Sequence, residues 1–379
     1  MIFLAVGFPK FVIVKLVSQP CTQRANADMV RTTCGAGLAT CVWSESMPAA
    51  YKDAWQLLPP SSDCRGGAFA TLVVNERYVD PAICLRDQLR RVGSVCPMLA
   101  IWDDRADAAT GLSGPSYQRL ARAYGEPSLL PLTQLLKRSE RDAPTNISHY
   151  VLGSGLPTPG ELDQLWGTSA RDIARVLHRG AGRRLYETGP SGASNQAEWN
   201  ALFQKLFVWA IDPVRHPRIA LLDVDLLLRH NLDPLLAHEF NGPIAGVPCT
   251  DDLRYFNTGV LVLQPSLRTL HQLLQTKPGK KCEQKITDQS VINLYFTGVK
   301  RTGKWDRLRF PYNVPHRLHY SAPASFWTHA AAAAIHFTGE PKPWDAPSTL
   351  RRVFQGEGVR ALAPLNEYRL VCGLGALAV

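Results

Sequence analysis

The chain has 379 residues, 45% hydrophobic and 20% charged, the balance of a soluble globular protein with enough apolar content for a large core. Its formal charge of +10 points to polyanionic company such as nucleotide phosphates, acidic glycans or anionic membrane. No zinc finger, RNA-recognition signature or basic helix is present, so no nucleic-acid partner is expected.

Nine cysteines, irregularly spaced and without a Cys-x-x-Cys pair, argue against a zinc site. They read as reduced, buried thiols, which favours the cytoplasm, with the Golgi lumen as the alternative. Met1 to Val17 is apolar but interrupted by Lys10 and Lys15. It falls short of the ~20 residues of a membrane span, and no basic run precedes it. Ala25-Asn26-Ala27 nevertheless has the form of a small-residue cleavage site. Membrane association is therefore expected through the N-terminus only. The sequon Asn146-Ile147-Ser148 would matter only in the secretory route.

Residues 1–66 lack periodicity and read as a leader or poorly ordered extension that closes on Leu58-Pro59-Pro60-Ser61-Ser62. Ala68 to Val74 is a strand by composition, and Asp80-Pro81 opens a helix with Ala82, Leu85, Leu89 and Val92 on one face. Met98 to Trp102 is a second strand, completing a βαβ unit. Residues 105–195 are polar and rich in Gly, Pro and Arg, and read as an insertion outside the central sheet. Short helices are expected within it at Ser116 to Tyr124 and Asp172 to His178. Trp199 to Ile211 carries an apolar helical stripe. Strands follow at Ile244 to Val247 and Gly259 to Leu263, and helices at Ser266 to Leu274 and Asp288 to Tyr295. Ala331 to Phe337 is the last apolar run of the domain, 67–346, and residues 347–379 form a C-terminal tail.

The informative stretch is Ile219 to Leu228. An unbroken apolar run, Ile219 to Leu222, reads as a buried parallel strand, then stops at Asp223-Val224-Asp225 before Leu226-Leu227-Leu228. Two carboxylates one residue apart in so apolar a segment are costly unless something pairs with them. A divalent cation held by oxygen ligands is a natural partner, and open α/β sheets gather ligands at the carboxyl ends of their strands. The alternative is an Asp pair capping the turn that follows the strand.

Other segments fall in a recognisable order: Ala68-Phe-Ala-Thr-Leu-Val-Val-Asn-Glu-Arg-Tyr78, Phe203-Gln-Lys-Leu206 before Trp209, Leu222-Asp-Val-Asp225, and Asn231-Leu-Asp-Pro-Leu235. Phe256-Asn-Thr-Gly-Val-Leu-Val-Leu263, Asp288-Gln289 with Asn293, Pro311-Tyr-Asn313 and His336-Phe-Thr-Gly-Glu-Pro-Lys-Pro-Trp344 complete the series. The ordered set resembles the glycogenin-like retaining glycosyltransferases of family 8 over residues 67–104 and 197–346.

That resemblance implies an α/β chain with a GT-A-type, Rossmann-like nucleotide-diphospho-sugar transferase fold: a single mixed central sheet flanked by helices. It also implies retaining transfer of a hexose from a UDP-sugar, UDP-glucose or UDP-galactose, to an unknown acceptor, with Mn²⁺ or Mg²⁺. By the same resemblance Asp223, Asp225 and His336 ligate the metal, while Gly339 and Lys342 face the leaving diphosphate. Lys205 lies over the donor phosphate or sugar, Leu72, Asn75 and Tyr78 hold the uracil, and Val224 lies at the ribose. Asn257, Asp288 and Gln289 bind sugar hydroxyls, the last two nearest the anomeric carbon.

The chain departs from the family with Val74 for Thr, Val224 for Ala and Lys285 for an Asp. His319 falls at the register of glycogenin's acceptor tyrosine, so self-glucosylation is not implied. A catalytically silent nucleotide-sugar or glycan-binding relative is the alternative to an enzyme.

Overall fold

The structure is a computed structural model that describes residues 54–104, 112–141, 203–249, 255–274, 276, 288–297, 305–321, 331–354 and 359–377. The strands are β1 (Ala68–Val73), β2 (Met98–Trp102), β3 (Leu129–Pro131), β4 (Ile219–Leu222) and β5 (Leu226–Leu228). They continue as β6 (Ile244–Pro248), β7 (Phe256–Leu263), β8 (Trp305–Arg307), β9 (Val314–Pro315) and β10 (Ala334–His336). Seven of them form one sheet in the order β3-β2-β1-β4-β7-β6-β8, and β5-β10-β9 form a smaller one. β3, β2, β1 and β4 run parallel, β7 runs antiparallel to β4 and β6, and β8 is parallel to β6. The large sheet is therefore mixed, as expected.

Every residue of β1 and β4 is buried, so neither strand alternates in polarity. Both faces are covered, as the continuous apolar runs imply. Helix α1 (Val79–Arg91) packs Ala82, Leu85 and Leu89 into one core layer with Phe69, Ala220 and Leu222. The other layer joins Ala70, Leu72 and Leu221 to Leu206 and Trp209 of the 3₁₀ helix Phe203–Ala210, and to the helices Leu267–Leu274 and Asp288–Thr297. Here α2 is Gly114–Tyr124, α3 Leu132–Arg141, α4 Leu267–Leu274 and α5 Asp288–Thr297. A fully buried Leu in such a layer contributes about 1.5–3 kcal/mol.

Four expectations need correction. The region 105–195 does not lie wholly outside the central sheet, because β3 is its edge strand, paired with β2 from Ala100↔Leu129 to Trp102↔Pro131. Leu129, Leu132 and Leu135 are buried and fix this strand and α3 to the core. The helix expected at Ser116–Tyr124 is α2; the one expected at Asp172–His178 lies outside the described residues.

The extension also reaches into the fold. Trp55 and Leu58 are buried, Trp55 stacks on Phe310 at 5.0 Å, and the Leu58 amide donates to the Tyr312 hydroxyl at 2.8 Å.

Nor is the C-terminal stretch an appendage. After α6 (His316–Ser321), helices α7 (Pro347–Phe354) and α8 (Val359–Val371) bury Leu350, Leu365 and Tyr368 against Leu227 and Ile335 of the small sheet.

Finally, four of the described cysteines are not thiols. Cys64 is bonded to Cys96 and Cys84 to Cys372, with Cα atoms 5.5 and 5.3 Å apart. The partners lie 32 and 288 residues apart in sequence, so only the fold brings them together. Cys249 is free.

Candidate active site

Asp223-Val224-Asp225 is the point where the chain leaves the large sheet at the end of β4 and enters the small sheet at β5. The Asp223 amide donates to the Gly259 carbonyl at 2.9 Å, which pins the crossing to β7. β10 runs antiparallel to β5 with His336 opposite Leu226, so the strand pairing sets His336 beside Asp225. His336 Nε2 lies 3.2 Å from Asp225 Oδ1 and 3.8 Å from Asp223 Oδ2. One ligand atom from each of Asp223, Asp225 and His336 lies within 4.8 Å of the others.

The imidazole's orientation follows from a chain of hydrogen bonds. The Gly259 amide must donate, so Asn257 Oδ1 faces it at 2.8 Å. Asn313 Nδ2 donates to the same oxygen at 2.8 Å, which turns Asn313 Oδ1 toward His336 Nδ1 at 2.9 Å. His336 Nδ1 therefore carries a proton and Nε2 faces the two carboxylates. A lone pair there beside carboxylate oxygens calls for a positive charge between them, a second proton or a metal ion. Two carboxylates and an imidazole suit Mn²⁺ or Mg²⁺, and the fixed outer hydrogen bond is what a metal-binding histidine uses. Gly259 leaves room for the ring, since a Cβ at that position would overlap His336.

Two lysines flank the triad. Lys205, on the 3₁₀ helix, is buried with its Nζ 2.7 Å from Asp223 Oδ1 and 3.1 Å from Asp288 Oδ2. Burial pulls its ammonium toward neutrality, but Asp223 and Asp288 outweigh that and hold it above the usual lysine range. Lys342 Nζ lies 2.6 Å from Asp225 Oδ2. Here too burial acts first and Asp225 overrides it, so Lys342 stays charged. Asp225 in turn is desolvated, yet Lys342 and His336 drive its carboxyl far below the ordinary range.

Asp288 opens α5 and also accepts from the Thr258 hydroxyl at 3.1 Å. Gln289 Oε1 accepts from the Thr258 amide at 3.3 Å and from Asn257 Nδ2 at 3.2 Å. Polar contacts thus run unbroken through Gln289, Asn257, Asn313, His336, Asp225 and Lys342, drawn from five separate segments of sequence.

The remaining candidate residues are placed differently. Gly339 has φ +78 with open space around a would-be Cβ, so the turn needs glycine for its backbone angle. Asn75 accepts from the Arg77 amide at 3.0 Å and caps a 3₁₀ turn, Glu76–Tyr78, so one of its amide groups is already used. Tyr78 meets Trp344 edge to face at 5.7 Å. Leu72 and Val224 are buried, one in each of the two core layers. Lys285 lies outside the described residues.

Thr258, Asn313, Arg77 and Asp345 were assigned no role from sequence. Arg77 Nη2 lies 2.7 Å from Asp345 Oδ1, and Asp345 Oδ2 accepts from the Lys342 amide at 2.7 Å. The turn after β1 therefore grips the Lys342 loop. Asn313 was visible as a motif residue, but nothing in its neighbours names His336 as its partner.

Residues 192–347 match the model of the family "Glycosyl transferase family 8". Glycogenin-1 of Mus musculus is 31% identical over 142 residues, 37% of this chain and 41% of the relative. Glycogenin-1 of Homo sapiens is 30% identical over 149 residues, 39% and 41% of the two chains. The chain thus spans about two fifths of the length of these curated relatives. A crystal structure of the galactosyltransferase LgtC with donor and acceptor sugar analogues aligns with TM-score 0.43 and 12% identity, over 82% of this chain and 97% of that one. Residues 192–347 are thus similar to glycosyl transferase family 8, and the chain is similar in sequence to the glycogenins.

Proposed function

We propose that the chain is a retaining glycosyltransferase that moves a hexose from a UDP-sugar to an acceptor and needs a divalent metal ion. The observation that carries this is the convergence of Asp223, Asp225 and His336 within 4.8 Å at the ends of β4 and β10. Galactosyl and glucosyl donors are the first to test.

A divalent cation held by that triad supplies Lewis-acid neutralisation of the charge that grows on the departing diphosphate. The chain's own residues do the rest. Lys342, carried by the Gly339 turn, brings a compact positive charge to the same side of Asp225. Lys205 bridges Asp223 and Asp288 and fixes both in place. Asn257, Asp288 and Gln289 present oriented amide and carboxylate groups to sugar hydroxyls. A wrong sugar would leave such groups unpaired. Asn75, Tyr78 and Leu72 mark the nucleotide end, beside β1.

Two disulfides belong with an oxidising compartment, so we place the protein on the luminal side of the secretory route.

The deciding experiment is UDP release from a donor panel by the purified full chain, with Mn²⁺ and with EDTA. Metal-dependent release of UDP from one donor is expected. Binding of UDP-sugar without any release would favour the silent relative, and release undiminished in EDTA would overturn the metal role.

A further inference from the structure

Three consecutive residues of α8, Glu367, Tyr368 and Arg369, reach the end of β5, the aspartate crossing and the Lys342 loop, and all lie beyond the family match, which ends at 347. Glu367 Oε2 is 2.5 Å from Arg229 Nη2, just past β5. The Tyr368 hydroxyl is 3.4 Å from the carbonyl of Val224, the residue between the two aspartates. Its ring lies 5.6 Å from Phe337 and 6.2 Å from Trp344, at the two ends of the Lys342 loop.

Arg369 is the most unusual of the three. It is buried, and its four hydrogen bonds all go to backbone carbonyls. Nη1 donates to Pro343 at 2.9 Å and Asp345 at 3.2 Å, Nε to Gly375 at 2.9 Å, and Nη2 to Leu374 at 3.0 Å. A guanidinium is costly to bury without a carboxylate, and its planar fork is what serves carbonyls from two separate turns. Pro343 and Asp345 closely follow Lys342, whose amide bonds Asp345 Oδ2 and whose Nζ bonds Asp225. Three residues on, Cys372 is bonded to Cys84 of α1, which fixes the end of α8 to the side of the fold that carries β1.

We propose that Arg369 is a positioning residue for the donor site. From α8, held in place by the Cys84–Cys372 bridge, it sets the Lys342 loop in register with the Asp223-Val224-Asp225 crossing. Its effect on donor binding rests on the reading of the site given above, but its hold on the loop does not. Arg369 touches no reacting group. It acts by fixing the Pro343 and Asp345 carbonyls, and through them the direction of Lys342.

The test compares wild type, Arg369→Met, Arg369→Lys and Cys372→Ser. UDP affinity is measured by calorimetry with Mn²⁺, and hydrogen exchange is followed at the Lys342 and Asp345 amides. Removing an outer partner of this kind typically costs roughly 10–100-fold in affinity. Arg369→Met should show that loss, with faster exchange at both amides. Arg369→Lys should fall between, since it keeps the charge and loses the fork. Cys372→Ser should speed exchange at the same amides while Arg369 is intact, and it carries the test should Arg369→Met not fold. Wild-type exchange and UDP affinity in a folded Arg369→Met protein, even one that melts lower, would overturn the proposal. Were wild type itself not to bind UDP with Mn²⁺, the donor reading would fall, and the exchange measurement would still decide whether Arg369 holds the loop.

Discussion

Lys342 and Asp225, 117 residues apart in sequence, form one buried ion pair with Nζ 2.6 Å from Oδ2. The loop cation and a candidate metal ligand are therefore tuned together. Charge on a diphosphate leaving group grows as its bond breaks, so a cation aimed there favours the transition state over the ground state. Lys342→Ala is expected to lower kcat about 10²–10³-fold, with a smaller change in KM for the donor. Lys342→Arg should recover only part of this. Steady-state UDP release over a range of donor concentrations separates the two constants. A raised KM with unchanged kcat would show that Lys342 only binds.

Asn313 fixes His336 by accepting from Nδ1, and loses nothing to solvent because both are buried. Asn313→Ala should weaken Mn²⁺ binding roughly 10–100-fold while the ligands themselves remain. Asn313→Asp keeps an acceptor for His336 and forfeits the donor to Asn257, so it should retain more affinity than Ala. Titration of Mn²⁺ followed by electron paramagnetic resonance reads this directly. Equal affinities for all three proteins would refute the tautomer argument.

Gly259 sits where any side chain would strike the His336 ring. Gly259→Ala should cost about 1–3 kcal/mol of stability by overpacking, and should also displace the imidazole and weaken Mn²⁺ binding. The ring is the nearest obstacle, with Asn257 Oδ1 next at 2.9 Å, so Gly259→Ala added to His336→Ala should cost clearly less than in wild type. Denaturant unfolding of the four proteins in the cycle measures that coupling. Additive losses would mean that the strain lies elsewhere.

His316 predicts an acid effect on α8. It is buried against Phe337, at 4.7 Å between rings, and its Nε2 lies 2.8 Å from the Ala361 carbonyl of α8. Burial lowers its pKa from 6.5 to about 4, against the pull of the Ala361 carbonyl and with help from Arg317. The unfolded chain thus takes up a proton near 6.5 that the folded chain refuses until about 4. The stabilising contribution is complete above the unfolded value and is lost as pH falls through that window. It is about 3 kcal/mol at most. His316→Gln should flatten this part of the profile, as seen in the difference between its unfolding free energy and that of wild type at pH 7 and at pH 4.5. Parallel profiles would rule out His316 as the source.

The site was far more legible than its supports. Asp223 and Asp225 stand out because they interrupt apolar runs, and His336 because it closes one before a Gly-x-x-Lys turn. The central strands were clear for the same reason: β1 and β4 are buried on both faces and so are continuously apolar. β3 was missed because three residues ending in Pro131 are too few to show alternation. α8 was missed because it is apolar on several sides and contains Pro364, which hides a helical period. The orientation of His336 could not be read at all, since it depends on Asn257, Gly259 and Asn313 meeting in space.

The bridge between Cys84 and Cys372 makes most of the chain a covalent ring, closed through one sulfur–sulfur bond. A single backbone cut anywhere from residue 85 to 371 opens the ring without dividing the molecule. A protease-nicked sample should thus migrate as one full-sized species until a reductant is added, and only then as two. Electrophoretic size under non-reducing conditions would therefore say nothing about whether the chain between those cysteines had been cleaved, and only the mass of one added water would reveal the cut.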